Sequence, residues 1–277
     1  MTDRVFQPET LAIHAGQIPD RETGARALPI YQTTSFVFDS AEHAAALFNL
    51  QTFGNVYSRL SNPTVAALEE RVAALEGGRA AVASASGMAA EAMALMTLLQ
   101  AGDHVVAAGA LYGGTVTMLA VSLAKFGITT TFVDATNPDA FAAAMRPQTR
   151  AVFAESLGNP SLSVLDIAAV ADVAHAHGLP LVIDNTVPSP FLCNPLAFGA
   201  DIVVHSATKY LAGHGTTLGG VIVEGGKFPW DNGKFPGMTE PSDGYHGVKF
   251  YETSATSAFA CVPAWRRCGS TVPRSAR

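Results

Sequence analysis

Residues 201–209 read DIVVHSATK, an apolar run rich in β-branched residues that ends in two hydroxyl groups and a lysine. Such a run predicts a short buried strand, and α/β proteins place their ligands at the carboxyl ends of parallel strands. A lysine that is removed from water loses its charge readily and becomes a nucleophile for carbonyl groups. Lys209 is therefore a candidate catalytic residue. The alternative is a lysine that merely extends into solvent from the start of a helix.

The composition limits the classes of protein to which the chain can belong. Of its 277 residues, 48% are hydrophobic and 14% are charged, which is typical of a compact enzyme and excludes a disordered or fibrous chain. The net charge of −6 gives no support to a nucleic-acid or membrane partner. We expect no membrane span, because no apolar run reaches about 18 residues. We also expect no signal peptide in residues 1–10, and therefore a cytoplasmic protein.

The sequence does not predict a metal site or a dinucleotide site. Cys193, Cys261 and Cys268 show no zinc-type spacing, and their odd number argues against a disulfide framework. The histidines, which we interpret as helix-end or loop residues, form no ligand set with cysteines or carboxylates; they include His175, His177, His205 and His214. No G-x-G-x-x-G motif lies between a first strand and a helix, so NAD binding is not favoured.

Strands and helices alternate from residue 61 onwards. Strands are predicted at 80–83, 103–106, 128–133, 151–155, 181–184, 202–205 and 221–223, with helices that end near residues 76, 99, 124, 145 and 177. The last strand is expected to be antiparallel or to lie at an edge. Such alternation predicts βαβ units and an α/β fold with a mainly parallel sheet.

The segment before this domain differs in character. Residues 1–60 have little periodicity and predict an extended arm that lies over another surface, such as that of a neighbouring subunit. The first helix follows at Pro63, with Ser61 or Asn62 as its cap and an apolar stripe that begins at Val65 and Leu68 and continues at Val72 and Leu75. Just before it, Tyr57 and Arg59 could reach a phosphate, although a solvent-exposed loop arginine is the alternative.

The chemistry-bearing residues collect after the predicted strands. They are Ser86, Gly87, Met88, Tyr112, Asn159, Asp184, Ser206, Thr208 and Lys209. Together they supply the groups that pyridoxal 5′-phosphate (PLP) requires: an amine for its aldehyde, a carboxylate for its ring nitrogen, an aromatic partner, and amide and hydroxyl donors for its phosphate. Taken singly, Asp184 could be a helix cap, Tyr112 a core residue and Asn159 part of a turn.

These residues lie in motifs that resemble the Cys/Met-metabolism family of PLP enzymes. The motifs are YSR at 57–59, SGM at 86–88, YGGT at 112–115, DNT at 184–186 and SATK at 206–209. Within the family, the sequence is most similar to O-acetylhomoserine sulfhydrylases through TLAIHAG at 10–16, AALFNL at 45–50 and the loop from GGKF at 225–228 to YHG at 245–247. The resemblance implies a fold-type I (aspartate-aminotransferase-like) large domain.

The resemblance also implies a role for each site residue. Lys209 would hold PLP as a Schiff base and move protons, Asp184 would pair with the pyridinium nitrogen, and Tyr112 would stack on the ring. Asn159 would lie near the ring hydroxyl. The phosphate would be bound by the 86–88 segment and by the Ser206 and Thr208 hydroxyls. Tyr57 and Arg59 would reach the phosphate of a neighbouring subunit, which implies a homodimer or homotetramer.

The implied reaction is a γ-replacement on O-acetylhomoserine by sulfide or a thiol, giving homocysteine or methionine plus acetate. Cystathionine γ-synthase or γ-lyase chemistry, or an inactive cofactor-binding fragment, are the alternatives. The resemblance ends near residue 253, so the domains are expected to be the arm (1–60), a PLP-binding domain (61–253) and an atypical tail (254–277) that suggests a truncation or frameshift. The smaller C-terminal domain of the family would then be missing. No substrate-carboxylate role is assigned to the tail arginines, which are Arg266, Arg267, Arg274 and Arg277.

Overall fold

A computed structural model describes residues 6–48, 52, 54–243, 247–254 and 259 of the chain. Almost all of the predicted tail, with Cys261, Cys268 and the four tail arginines, lies outside the described residues, as do 49–50 and 244–246 of the family motifs. No helix in the described part is long and apolar enough to cross a membrane.

The centre of the fold is a seven-stranded sheet. Its strands are β1 (Ala80–Ser84), β2 (His104–Ala108), β3 (Thr129–Val133), β4 (Thr149–Glu155), β5 (Leu181–Asp184), β6 (Ile202–His205) and β7 (Gly220–Glu224). They are ordered β1-β7-β6-β5-β4-β2-β3, and only β7 runs against the others. The predicted α/β class and mainly parallel sheet are confirmed. β7 is antiparallel as expected, but it lies between β1 and β6, so the edge position is wrong.

Helices surround this sheet. They are α1 (Pro8–His14), α2 (Ala41–Phe48), α3 (Pro63–Glu76), α4 (Gly87–Leu98), α5 (Gly113–Thr117), α6 (Pro138–Ala143), α7 (Ile167–Ala176), α8 (Ser189–Leu192), α9 (Pro236–Thr239) and α10 (Phe250–Ser254). The central strands β2, β5, β6 and β7 are buried at every residue. This explains their continuous apolar sequences, because a parallel sheet is covered on both faces.

Helix α3 begins and ends as its sequence predicts. The Asn62 side chain accepts a hydrogen bond from the Thr64 amide at 2.9 Å, so Asn62 is the cap rather than Ser61. The helix ends at Gly77, whose φ of 70° favours glycine. The predicted apolar stripe is only half right, however, because Val65 and Leu68 are exposed. The reason is that α3 buries only its second half, where it packs against β1 and β7.

The segment after β2 forms a helix of mixed geometry. It passes from α5 into a π-helical turn at Met118–Ser122 and a 3-10 turn at Leu123–Phe126, and it ends at Gly127 with a φ of 76°. The sequence predicts one regular helix to residue 124. The predicted extent of this helix is therefore nearly correct, but the prediction of a regular helix is wrong.

The arm folds back along helix α3 of its own chain. The Tyr31 amide donates to the Thr64 hydroxyl at 3.0 Å, and the Asn62 side chain donates to the Tyr31 carbonyl at 2.8 Å. Farther along the helix, the Arg71 guanidinium donates to the Ala15 carbonyl at 2.9 Å. These contacts hold the arm on the first helix, and its contribution to a neighbouring subunit stays a prediction.

Candidate active site

The sheet brings the predicted site residues to one edge. Six strands run in the same direction, so the segments that follow β1, β2, β4, β5 and β6 all emerge there. Four of the predicted residues form the centre of this edge: Gly87, Tyr112, Asp184 and Ser206. The shared direction of the strands therefore brings the site residues together.

The first part of the site is an anion cradle at the start of α4. The Ser86 hydroxyl accepts from the Ala89 amide at 3.2 Å, and the Ser86 carbonyl accepts from the Ala90 amide at 3.0 Å. In the described part of the chain, the amides of Gly87 and Met88 donate to no other protein group. Two unused amides at the positive end of a twelve-residue helix favour the binding of a phosphate.

Ser206 closes the cradle on its other side. A Cβ placed on Gly87 would lie 2.5 Å from the Cβ of Ser206, so only glycine allows the two segments to approach this closely. The Thr208 hydroxyl instead donates to the Gly219 carbonyl at 3.2 Å and accepts from the Gly219 amide at 3.1 Å. Thr208 therefore also fixes the segment that leads into β7, while its predicted phosphate contact stays a prediction.

Gly87→Ala is expected to lower the free energy of unfolding by about 1–3 kcal/mol, because the new methyl group overpacks against Ser206. It is also expected to weaken PLP binding. Gly113→Ala is the matched control, since Gly113 also begins a helix but has no atom within 4 Å of its Cβ position. Urea unfolding and PLP titration of both variants measure the two effects. Equal losses in the two variants would contradict the role of close approach.

Asp184 is fixed by its neighbour Thr186. Its Oδ1 accepts from the Thr186 amide at 2.8 Å and from the Thr186 hydroxyl at 2.5 Å. The same hydroxyl accepts from the Ser206 amide at 2.8 Å, so Thr186 connects the carboxylate to the cradle. The sequence quotes Thr186 only as part of a motif, and its bridging position is a finding of the structure. Asp184 is 8% exposed, and its contact with the Thr186 amide resembles the turn of a helix cap.

Two further carboxyls, which the sequence analysis missed, lie beside Asp184. Glu91 on α4 and Glu155 at the end of β4 are 3% and 7% exposed. Burial and the nearby charge of Asp184 raise the pKa of Glu91 to about 9. Burial raises the pKa of Glu155 to about 7, although a hydrogen bond from the Tyr112 amide opposes this. The sequence could have indicated Glu155, because it is an acidic residue at the end of a predicted buried strand.

Tyr112 presents its ring at the same edge. Its amide donates to Glu155 Oε1 at 2.6 Å, which fixes the backbone, while the residue is 52% exposed. A Cβ placed on Gly114 would lie 2.5 Å from the Tyr112 ring and 3.2 Å from the Met88 sulfur, so the ring lies near the cradle. The alternative of a core tyrosine is wrong, and an exposed ring in this place is available to stack on a ligand.

Lys209 follows β6 in a turn. Its amide donates to the Ser206 carbonyl at 3.1 Å, and its carbonyl accepts from the Gly213 amide at 2.9 Å. The sequence analysis expects a lysine removed from water, whereas Lys209 is exposed. The reason is that the packing which buries His205 ends with the strand, and Lys209 lies four residues beyond it above the edge of the sheet.

The remaining predicted residues are less constrained. Asn159 is exposed in a turn that is closed by a 2.8 Å hydrogen bond from the Gly158 amide to the Ser163 carbonyl, and it precedes a cis proline peptide. Asn159 thus lies in a turn, and its contact with the ring hydroxyl stays a prediction. The Arg59 guanidinium lies 5.4 Å from the Tyr57 ring centroid. Their contact with the phosphate of a neighbouring subunit also stays a prediction.

Two of the histidines considered as metal ligands contact carboxylates within the fold, His175 and His205. Among the described residues, no group of three or more His, Cys, Asp or Glu side chains could hold a metal ion. His175 contacts Asp201 at 2.8 Å, whose hydrogen bond raises the His175 pKa. His205 is wrongly predicted as a helix-end or loop residue, because it ends β6 and its Nε2 lies 2.6 Å from Glu76 Oε1 in the buried interior.

The groups at this edge fit PLP. An anion cradle, an anchored carboxylate, an exposed aromatic ring and a primary amine match the phosphate, ring nitrogen, ring face and aldehyde of this cofactor. A family comparison agrees, since residues 9–246 match the model described as Cys/Met metabolism PLP-dependent enzyme.

Similar proteins point to the same chemistry. The chain is 58% identical over 249 residues to an O-acetyl-L-homoserine sulfhydrylase of Leptospira meyeri, covering 90% of this chain and 56% of the relative. It is 51% identical over 253 residues to one of Corynebacterium glutamicum, covering 89% of this chain and 58% of the relative. The chain thus spans a little more than half the length of these curated relatives.

Solved structures share the fold. A Campylobacter jejuni structure described as an O-acetylhomoserine (thiol)-lyase has a TM-score of 0.90 and 37% identity, over 98% of this chain and 68% of its own. It contains N′-pyridoxyl-lysine-5′-monophosphate. A cystathionine gamma-lyase of Lactobacillus plantarum has a TM-score of 0.77 and 34% identity, over 98% of this chain and 61% of its own. The fold-type I prediction is confirmed.

Proposed function

Because this chain belongs to the Cys/Met metabolism family of PLP-dependent enzymes, we propose that it replaces the γ-acetoxy group of O-acetylhomoserine with sulfide or a thiol. The reaction gives homocysteine or methionine plus acetate. The observation that carries the choice of substrate is the 58% identity to an O-acetyl-L-homoserine sulfhydrylase over 90% of the chain. The geometry of the site supports the chemistry.

Several residues at this edge of the sheet would each bind a different part of the cofactor. The Gly87 and Met88 amides and the Ser206 hydroxyl would bind the phosphate. Asp184, whose Oδ1 is held by Thr186, would pair with the ring nitrogen, and the exposed Tyr112 would stack on the ring. When bound, PLP supplies an electron sink for the substrate carbon atoms next to the amino group.

Lys209 carries the proton transfers. Its Nζ would hold the cofactor aldehyde, and once the substrate is bound the same amine would lie free next to the substrate Cα. It then accepts the Cα proton as the general base. Loss of a second proton from Cβ allows acetate to leave from Cγ. Sulfide or the thiol adds at Cγ, and the protons return to Cβ and Cα.

The test measures acetate release from O-acetylhomoserine by the purified protein, with and without sulfide. The proposal expects sulfide-dependent acetate and homocysteine in equal amounts. A γ-lyase would form ammonia and a 2-oxoacid without sulfide, and a cystathionine synthase would require cysteine as the thiol. An absorbing bound cofactor with negligible turnover in every assay would instead indicate an inactive cofactor-binding fragment and overturn the proposal.

We also propose that Tyr57 and Arg59 complete the phosphate site of a second copy, so that the working form is a homodimer or homotetramer. Support comes from their exposure on the arm, where a guanidinium and a phenol lie side by side. Light scattering gives the number of subunits. A strictly monomeric protein that binds PLP normally would exclude this arrangement.

A further inference from the structure

Glu76 is a buried carboxyl group that the proposed function does not use. It is the last residue of α3 and is 1% exposed. Its Oε1 accepts from the Asn185 side chain at 3.1 Å and lies 2.6 Å from His205 Nε2. Its Oε2 accepts from the Asn194 side chain at 3.3 Å. The end of one helix is therefore joined to the residue that follows β5 and to the last residue of β6.

The strand register places these partners on the face of the sheet opposite to the site residues. Asp184 is paired with Val204, so their side chains share one face, and Ser206, two residues after Val204, returns to that face. Asn185 and His205 each come one residue later than a paired residue, and they therefore point to the other face, toward the end of α3. Each is the direct neighbour in sequence of a site residue.

His205 depends on Glu76 for its hydrogen bonding. The imidazole is fully buried, and its Nδ1 has no hydrogen-bond partner in the described part of the chain. The contact of its Nε2 with Glu76 is thus the one hydrogen bond that the structure gives this ring. Because buried polar groups keep their place through such bonds, a loss of Glu76 would release the end of β6, from which Ser206 follows directly.

Asn185 is held at several points. Its Nδ2 donates to the Cys193 carbonyl at 2.8 Å in addition to Glu76, and its Oδ1 accepts from the Ser156 hydroxyl at 2.8 Å. The side chain is fully buried, so each of these bonds would be costly to leave unmade. Together they fix the backbone that carries Asp184.

We propose that Glu76 is a positioning residue: it holds the carboxyl ends of β5 and β6 from the opposite face of the sheet and so fixes the spacing of Asp184 and Ser206. Thr186 joins the same two residues on the face that carries the site, so the two strand ends are held together from both sides. This inference rests on the proposed contacts of Asp184 and Ser206 with PLP. They would bind two different ends of the cofactor, so a change in their spacing weakens both contacts.

Two substitutions of Glu76 and one matched control test this role. Glu76→Leu removes every acceptor, while Glu76→Gln keeps the shape and one acceptor oxygen for the two neighbours of the site. The control is Asp201→Asn. Asp201 is also a buried carboxyl that lies 2.8 Å from a histidine, His175, but it directly precedes β6 and so stands at the opposite end of the same strand.

In the cofactor-bound protein we expect Glu76→Leu to weaken PLP binding about 10- to 100-fold, the range for a weakened hydrogen bond to a charged group. At saturating PLP, the pH at which its visible band titrates should also shift, because that titration reports the surroundings of the bound ring. Glu76→Gln should bind PLP within about 3-fold of the wild type, and so should Asp201→Asn. PLP titration measures binding, and urea unfolding of the cofactor-free proteins measures stability.

His205→Phe tests the same connection from its other end and carries the test if Glu76→Leu does not fold. It should weaken PLP binding in the same direction, again compared with Asp201→Asn. If both single variants fold, the double variant should bind PLP no more weakly than the weaker single variant, because the two changes break one connection. Effects on binding that add fully would overturn the proposal.

The remaining outcomes separate a failure of this inference from a failure of the proposed function. Equal weakening of PLP binding in Glu76→Leu and Asp201→Asn would show a general loss of stability and overturn the positioning role. Normal PLP binding in Asp184→Asn and Ser206→Ala would show that the proposed cofactor contacts are wrong, and the inference would fail with them. Weak binding in those two variants with normal binding in Glu76→Leu would overturn the positioning role alone.

Discussion

Lys209→Ala is expected to abolish covalent attachment of PLP and to lower turnover by at least about 10³-fold, because the only proposed base next to the substrate Cα is removed. The visible band of the bound cofactor and the mass of the borohydride-reduced protein measure attachment, and acetate release measures turnover. The exposed position of Lys209 above the sheet edge makes a large effect on folding unexpected.

Lys227→Ala is the matched control. Lys227 is also exposed, but it follows the carboxyl end of β7, and this strand runs opposite to the others, so Lys227 lies at the far end of the sheet. Its loss should change neither the band nor turnover. A reduced cofactor found on a peptide that lacks Lys209, or a normal band in Lys209→Ala, would contradict the assignment.

Asp184→Asn is expected to lower turnover by about 100-fold and to weaken PLP binding. An amide oxygen can still accept from Thr186, so the local fold should survive, but the negative charge expected at the ring nitrogen is lost. The estimate corresponds to one charge-assisted hydrogen bond in a buried place. Steady-state kinetics and PLP titration measure the effect.

The control for this prediction is Asp172→Asn. Asp172 lies exposed on helix α7, away from the described edge, and its change removes the same charge from the protein surface. A decrease of similar size in both variants would point to net charge or general stability instead of the ring contact. Unfolding in urea verifies that Asp184→Asn keeps its fold.

Two of the strands that lead to the site, β5 and β6, were predictable from the sequence to the residue. β5 and β6 have the predicted bounds, because each is a short β-branched run that a polar residue ends. The place of β7 was not predictable in the same way. The local sequence pattern indicated that β7 is antiparallel. Its insertion between β1 and β6, however, depends on pairing with strands that are distant in the sequence.

The residues around Asp184 likewise include some that the sequence predicted and some that it did not. Asp184, Ser206 and Gly87 were found because polar groups after parallel strands share one edge. Glu91 and Glu155 were missed because a single carboxyl on a helix or at a strand end has an ordinary solvent-exposed alternative. Their burial follows from the packing of α4 and β4 against β5 and its neighbours, which no local pattern expresses.

By itself, the sequence determined the α/β class, the order of strands and helices, and the groups available for a PLP site, since these depend on local periodicity and on the chemistry of nearby residues. Only the tertiary structure decided which of these groups are buried together. It exposed Lys209 and placed Glu76 against His205 across 129 residues of sequence. It also buried Glu91 and Glu155 near Asp184, which raises the pKa of both carboxyls. The physical reason is that burial and like-charge proximity, which set protonation and orientation, arise only when distant segments pack.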